Sequence, residues 1–362
     1  MGKSLKSYLQ FLLLLHILIQ RWNPAFVCAQ SGAFPAVVFI GASQSNVGVN
    51  NYFPSVARAN FPPYGRDFVN GDQRGPTGRF SNGKILPDFI CENFGLPFPL
   101  PYNSPDAKGE AVLQGINTAS SASGWLETTD RIFGTIPGTE QVQWVRNWQR
   151  SLVDLVGASR ASEIVRESPY IINLGDNDIL QYFSTPPLQE KYTGEEYRKL
   201  MIDTAVSNIK DLYSGGARKF GVISAFAQGC LPVQLTLYQP TNRRQCVQKI
   251  QDFVQKYNAE YKAATQSLQS SLQGSTFYFA DTFTITVDLY YNPKKYGLRE
   301  ETDIACCASG LFEYGPLCNS LSVGTCSNAA TYFCFDAEHF TETSWRIIVN
   351  TFVEDLKKTL LA

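Results

Sequence analysis

Four apolar, β-branched runs bounded by turn residues recur along the chain, at Ala36 to Ile40, Tyr170 to Leu174, Lys219 to Ser224 and Thr276 to Asp281. Each runs into a loop and then a helical pattern. Runs without polar alternation are what strands buried on both faces require, so these predict parallel strands. Between them, Gly138 to Val156, Thr193 to Tyr213 and Cys246 to Leu272 place apolar residues three and four apart, the period of a helix with one buried face. Thr193-Gly194-Glu195-Glu196 supplies a capping box for the second. Thr341 to Leu361 reads as one final amphipathic helix. This alternation predicts an α/β fold, a doubly wound sheet with helices on both faces. No internal repeat, low-complexity linker or composition break interrupts it, so one domain is expected over residues 30–362.

The first 29 residues obey a different rule. Lys3 and Lys6 precede an almost wholly apolar run from Tyr8 to Ile19, and Val27-Cys28-Ala29 places small residues where a signal peptidase cuts. Residues 1–29 are therefore expected to be a signal peptide, and the mature protein to be secreted. The run is too short to span a bilayer comfortably, and no later stretch approaches the roughly 20 apolar residues needed.

Composition narrows the chemistry. The 362 residues are 44% hydrophobic and 17% charged, which excludes a disordered chain. Lys and Arg total 31 against 32 Asp and Glu, and loss of Lys3, Lys6 and Arg21 with the leader leaves 28 against 32. Without a basic excess to neutralise phosphates, nucleic acid is not an expected partner. Of two histidines, His16 lies in the leader, so any imidazole chemistry falls to His339 and multi-histidine metal sites are excluded. Cleavage also removes Cys28 and leaves eight cysteines: Cys91, Cys230, Cys246, Cys306, Cys307, Cys318, Cys326 and Cys334. An even count in an oxidising compartment reads as disulfides, with Cys230–Cys246 the one pair proposed. A zinc cluster between 306 and 334 would lack histidine spacing and sit in the wrong compartment. No N-x-S/T sequon occurs, so N-glycosylation is not expected.

In a doubly wound sheet, function gathers at the carboxyl ends of the strands. Ser43 and Ser45 follow the first strand beside Gly41, placed either to present a hydroxyl at the sheet edge or to cap a helix. Asn177, in Gly175-Asp176-Asn177-Asp178, suits an oxyanion donor or an Asx-turn. The small residues from Gly115 to Gly124 admit a backbone N–H close to a substrate oxygen, or simply pack a loop. Asp336 stands three residues before His339, where it can accept the imidazole Nδ1–H and leave Nε2 as a base; the alternative is a surface histidine heading a helix. Glu338 reads as a solvated loop charge.

Taken in order, a serine after the first strand, a small-residue loop, G-x-N-D and D-x-x-H before the last helix resemble the plant GDSL esterase/lipase family, a branch of the SGNH hydrolases. The resemblance spans about Pro35 to Glu354 and extends to Gly78-Arg79-Phe80-Ser81-Asn82-Gly83-Lys84, Gly229-Cys230-Leu231-Pro232, Ala305-Cys306-Cys307 and the run from Cys246 to Asn258. It implies a three-layer α/β/α, flavodoxin-like fold with a mostly parallel sheet. It further implies Ser43 as nucleophile, Asp336 and His339 as its partners, and Asn177 with the backbone N–H of Ser121 as the oxyanion hole. The chain departs from the family at Ala42 and Gln44, where G-D-S-L has Asp and Leu. It departs again at Asn46 for an aspartate, Val49 for an asparagine, Ser121 for a glycine and Phe340 for the proline after the histidine.

The expected reaction is hydrolysis of acyl lipids or small acylated metabolites through an acyl-Ser43, with no metal or organic cofactor. Activity is expected to rise with pH through roughly 6.5 as His339 loses its proton. An acyltransferase using the same acyl-enzyme and a non-catalytic secreted binding protein are the alternatives. Oligomeric state is not readable from the sequence.

Overall fold

The computed structural model describes residues 32–239, 241, 244–307, 318–319, 322 and 325–362. The expected signal peptide lies outside these residues. Five parallel strands, β1 (Val37–Gly41), β2 (Gly115–Asn117), β3 (Pro169–Asn173), β4 (Lys219–Ile223) and β5 (Thr276–Ala280), form one sheet in the order β2-β1-β3-β4-β5. Helices cover both faces, the three-layer arrangement implied by the resemblance. Every residue of β1 and of β3 is buried, as unalternating apolar runs require.

The long helices fall where periodicity places them. Gly138–Val156 buries Val142, Val145, Trp148 and Leu152 and packs on β1; each such side chain contributes roughly 1.5–3 kcal/mol of burial. The helix Gly194–Ser214 starts with the expected capping box, in which the Glu196 N–H donates to Thr193 Oγ1 at 3.2 Å and the Thr193 N–H to Glu196 Oε2 at 2.8 Å. The third long helix covers Gln248–Ser271.

Two elements differ from expectation. The edge strand β2 has three residues and no apolar run, so periodicity gives no sign of it; Val37 pairs with Gly115 and Phe39 with Asn117. The final helix is two helices, Glu342–Asn350 and Val353–Leu361, broken at Thr351 and Phe352. Phe352 is buried, so the apolar pattern runs through the break and conceals it.

Buried apolar side chains form two clusters. The larger surrounds the sheet and includes Ile40, Ala42, Ala337 and Phe340. The smaller consists of Ala59, Tyr64, Phe80, Phe335, Ala329 and three cysteines, Cys306, Cys307 and Cys318. Disulfides join Cys230 to Cys246, as expected, and Cys306 to Cys326 and Cys307 to Cys318. Cys91 and Cys334, both buried, take no part in these three bridges. Four of the five cysteines between 306 and 334 are thereby committed to sulfur rather than zinc.

Candidate active site

The order β2-β1-β3 reverses direction at β1, and loops leaving β1, β2 and β3 meet at that switch point. Ser43 opens a single 3₁₀ turn, Ser43–Ser45, two residues beyond the end of β1. The turn is tight because of Gly41: a Cβ there would lie 2.8 Å from Ser45 Cβ and 3.0 Å from the Asn173 carbonyl oxygen. Gln141, buried on the helix Gly138–Val156, grips the same residue with both ends of its amide. Its Oε1 accepts the Gly41 N–H at 2.9 Å and its Nε2 donates to the Gly41 carbonyl at 3.0 Å. The Ala42 N–H bonds the Asn173 carbonyl at 3.2 Å, and Ser45 Oγ donates to Asn173 Oδ1 at 3.1 Å. Ala42 is buried among apolar residues, so the loop is held by these bonds in place of the family's acidic side chain.

Asp336 and His339 form a closed couple. His339 Nδ1 lies 2.7 Å and 2.8 Å from the two Asp336 oxygens; an ionised carboxylate only accepts, so Nδ1 carries the proton and Nε2 keeps its lone pair. The backbone N–H groups of Glu338 and His339 donate to Asp336 Oδ1 at 2.9 Å and 2.7 Å, and Tyr64 Oη donates to Oδ2 at 2.6 Å. Tyr64 is fully buried, and desolvation with the Asp336 charge pushes its phenol well above its ordinary range, so it remains a donor. The Phe80 ring tilts over the imidazole at 4.7 Å. Burial opposes the charged imidazole, but attraction to Asp336, its hydrogen bond and the Glu338 charge prevail, and the His339 pKa lies above its usual 6.5.

The Gly78–Lys84 motif fastens this loop to the helix that follows it. Ser81 Oγ donates to the Phe340 carbonyl at 3.0 Å, Asn82 Oδ1 accepts the Glu342 N–H at 2.9 Å, and the Lys84 N–H reaches Glu342 Oε2 at 3.0 Å. Arg79 forms a buried bidentate pair with Asp88 at 2.8 Å and 2.7 Å. Phe340 pairs across the loop with Cys334 through bonds from the Phe335 and Thr341 N–H groups, so its own N–H is not used. A phenylalanine in place of proline therefore keeps both bonds and adds a ring against Phe226, Phe333 and Trp345.

Asn177 lies in the first turn of the helix Asp176–Ser184 after β3, and its Nδ2 donates to the Ser123 carbonyl at 2.9 Å. Asp178 is buried and accepts from the Trp125 and Leu126 N–H groups and Thr129 Oγ1, which ties the β2 and β3 loops together. Ser121 differs from expectation. Its N–H, expected to be a free oxyanion donor, is engaged with Asn50 Oδ1 at 2.9 Å, and its Oγ accepts from Asn46 Nδ2 at 2.6 Å. Asn46 Nδ2 also donates to Asn50 Oδ1 at 3.0 Å, while its Oδ1 accepts the Gly48 and Val49 N–H groups, each at 2.7 Å. The departures at 46 and 121 thus meet in one network.

Hydrogen bonds join all four predicted segments. Besides those above, Gln44 Nε2 donates to the Glu338 carbonyl at 3.1 Å, which fastens the residue after Ser43 to the residue before His339. Glu338 is half-buried rather than solvated, and desolvation pushes its carboxyl up to about 7, with His339 countering and Asp336 and Asp130 adding. Tyr64, Gln141 and Asn50 were invisible in the sequence, since each acts on residues far along the chain.

Residues 37–352 match the GDSL-like Lipase/Acylhydrolase family. The chain belongs to that family. Among its relatives, the Arabidopsis thaliana GDSL esterase/lipase At5g03810 is 35% identical over 318 residues, covering 87% of this chain and 89% of the relative. The Arabidopsis thaliana GDSL esterase/lipase APG is 36% identical over 322 residues, covering 88% of this chain and 90% of its own. Among the described residues of this GDSL-family chain, no helix is long and apolar enough to cross a membrane.

Proposed function

We propose that the protein is a secreted carboxylic-ester hydrolase that works through an acyl-Ser43, on acyl lipids or small acylated metabolites. The observation that carries this reading is the Asp336–His339 couple, with Nδ1 committed to the carboxylate, tied to the Ser43 turn through Gln44 and Glu338. A serine hydroxyl is a weak nucleophile near neutral pH, so the free Nε2 of His339 takes its proton as Ser43 attacks the ester carbonyl, and Asp336 stabilises the resulting imidazolium. The Ser43 N–H and the second Nδ2 hydrogen of Asn177 receive the developing oxyanion. Loss of one such donor typically costs about 2.7–4 kcal/mol of transition-state stabilisation. Ser121 contributes a third donor only by leaving Asn50. Collapse of the intermediate expels the alcohol, protonated by His339, and water then releases the acid by the same route. Three disulfides support an oxidising destination.

Labelling of the purified mature chain by a fluorophosphonate tests the reading. Wild type is expected to label and to hydrolyse a short-chain aryl ester, and Ser43→Ala to do neither. Folded wild type that resists the probe overturns it.

A further inference from the structure

The two oxygens of Asp336 are supplied from different places. Oδ1 accepts the backbone N–H groups of Glu338 and His339, which any residues but proline at those positions would provide. Oδ2 accepts Tyr64 Oη at 2.6 Å, the one donor that comes from outside the loop. With both oxygens engaged, His339 Nδ1 lies almost evenly between them, at 2.7 Å and 2.8 Å. Without the phenol, Oδ1 would hold every other donor and Oδ2 would face the imidazole alone.

The phenol is fixed on several sides. The rings of Phe61, Phe80 and Phe335 meet it edge-on at 5.6, 5.5 and 5.6 Å, and the N–H of the next residue, Gly65, donates to the Ser81 carbonyl at 2.9 Å. The Cys318 N–H donates to Tyr64 Oη at 3.1 Å, which turns the hydroxyl hydrogen towards Asp336 and polarises it. Cys318 is held in turn by its bridge to Cys307, whose N–H donates to the Phe335 carbonyl at 2.6 Å, one residue before Asp336. Packing does not call for the hydroxyl, since a phenylalanine would fill the same aromatic cluster without burying a polar group. The charges acting on the couple are few. Asp336 and Glu338 act on both His339 and Tyr64, Asp130 acts on Glu338, and Arg66, 5.7 Å from the Phe335 ring, is taken up by the Cys326 carbonyl and Asp67.

We propose that Tyr64 is a positioning residue for the ester hydrolysis: its hydroxyl centres the Asp336 carboxylate on His339 and takes up part of its negative charge. A carboxylate stripped of this donor grips the imidazolium harder, which keeps the base protonated to higher pH and slows delivery of the proton to the leaving alcohol. Tyr64 touches no reacting atom. The inference rests on His339 being the base.

His339 is the only histidine after residue 29, so nuclear magnetic resonance of the untagged mature chain reads a single imidazole. Two replacements bracket the effect: Tyr64→Phe removes the donor, and 3-fluorotyrosine in place of Tyr64 strengthens it at nearly the same shape. The imidazole midpoint is expected to rise by about half a pH unit or more in Tyr64→Phe and to fall in the fluorinated protein. The acid limb of kcat/KM is expected to move with it in each, and Tyr64→Phe to lower the plateau kcat about tenfold with KM unchanged. A midpoint that stays in place, or that moves the same way in both proteins, overturns the inference. If Tyr64→Phe does not fold, the sign of the fluorinated protein's shift decides alone, a fall supporting the inference and anything else refuting it. Opposite imidazole shifts in a chain that neither labels with a fluorophosphonate nor turns over esters would sink the esterase and spare the role of Tyr64 beside Asp336. Turnover with an unmoved midpoint sinks that role and spares the esterase.

Discussion

At His339 two opposing effects act on one proton. Dehydration favours the neutral ring, while Asp336, bonded to Nδ1, and the nearby Glu338 favour the charged one and win. A general base works only when neutral, so the raised pKa moves the acid limb of kcat/KM above pH 6.5, where an unperturbed histidine would put it. A profile from pH 5 to 9 on an uncharged ester checks this, and a midpoint at or below 6.5 contradicts it. This couple was legible in the sequence because its members are three residues apart, which lets one loop hold both. Tyr64 was not, since it reaches Asp336 from 272 positions away. Glu338 was misread because a charged residue in a loop is usually wet, and only packing reveals that this one is half-buried.

Among elements, long helices with one buried face and strands buried on both announce themselves through their periods, and Gly138–Val156 was found to the residue. The three-residue β2 and the break at Thr351 and Phe352 carry no periodic mark. Loop-to-loop contacts are equally silent, and one of them bears on catalysis. Asn50 Oδ1 accepts from Asn46 Nδ2, Ser120 Oγ and the Ser121 N–H together. An aspartate at 46 offers no donor there and would repel that oxygen, which turns the Asn50 amide round and releases the Ser121 N–H. Asn46→Asp is therefore expected to raise kcat by roughly tenfold, part of the worth of an oxyanion donor, with little change in KM. Steady-state kinetics on a protein with unchanged circular dichroism decides it. A kcat that stays level or falls is the opposing result.

For the molecule as a whole, buried acids set the response to pH. Burial pushes Asp176 and Glu338 up to about 7 and Asp130 and Asp178 up to about 6. A folded pKa above the unfolded one means that the native state must carry a disfavoured charge once pH exceeds both, so stability falls as pH rises between them. His339, also raised, gives up its contribution over the upper part of the same window. Half-buried Asp288, held at about 2 chiefly by its hydrogen bond to Lys295, acts the other way, but only at lower pH. The midpoint of thermal unfolding is therefore expected to drop by about 5 °C or more between pH 5 and pH 8. Calorimetric scans at those two values check it, and a rising midpoint refutes it.

Both apolar clusters support the machinery, but only the His339 loop needs the smaller one. Ser43 hangs from the large one through Ala42 and Ile40, whereas the His339 loop is shared, with Ala337 and Phe340 in the large one and Phe335 in the small one, which also supplies Tyr64 and Phe80. A patch of that size, braced by two cystine links, gives way more readily than a five-stranded sheet once it is warmed or reduced. The enzyme should thus fall silent while its backbone spectrum still looks native, with ester turnover fading several degrees before ellipticity does.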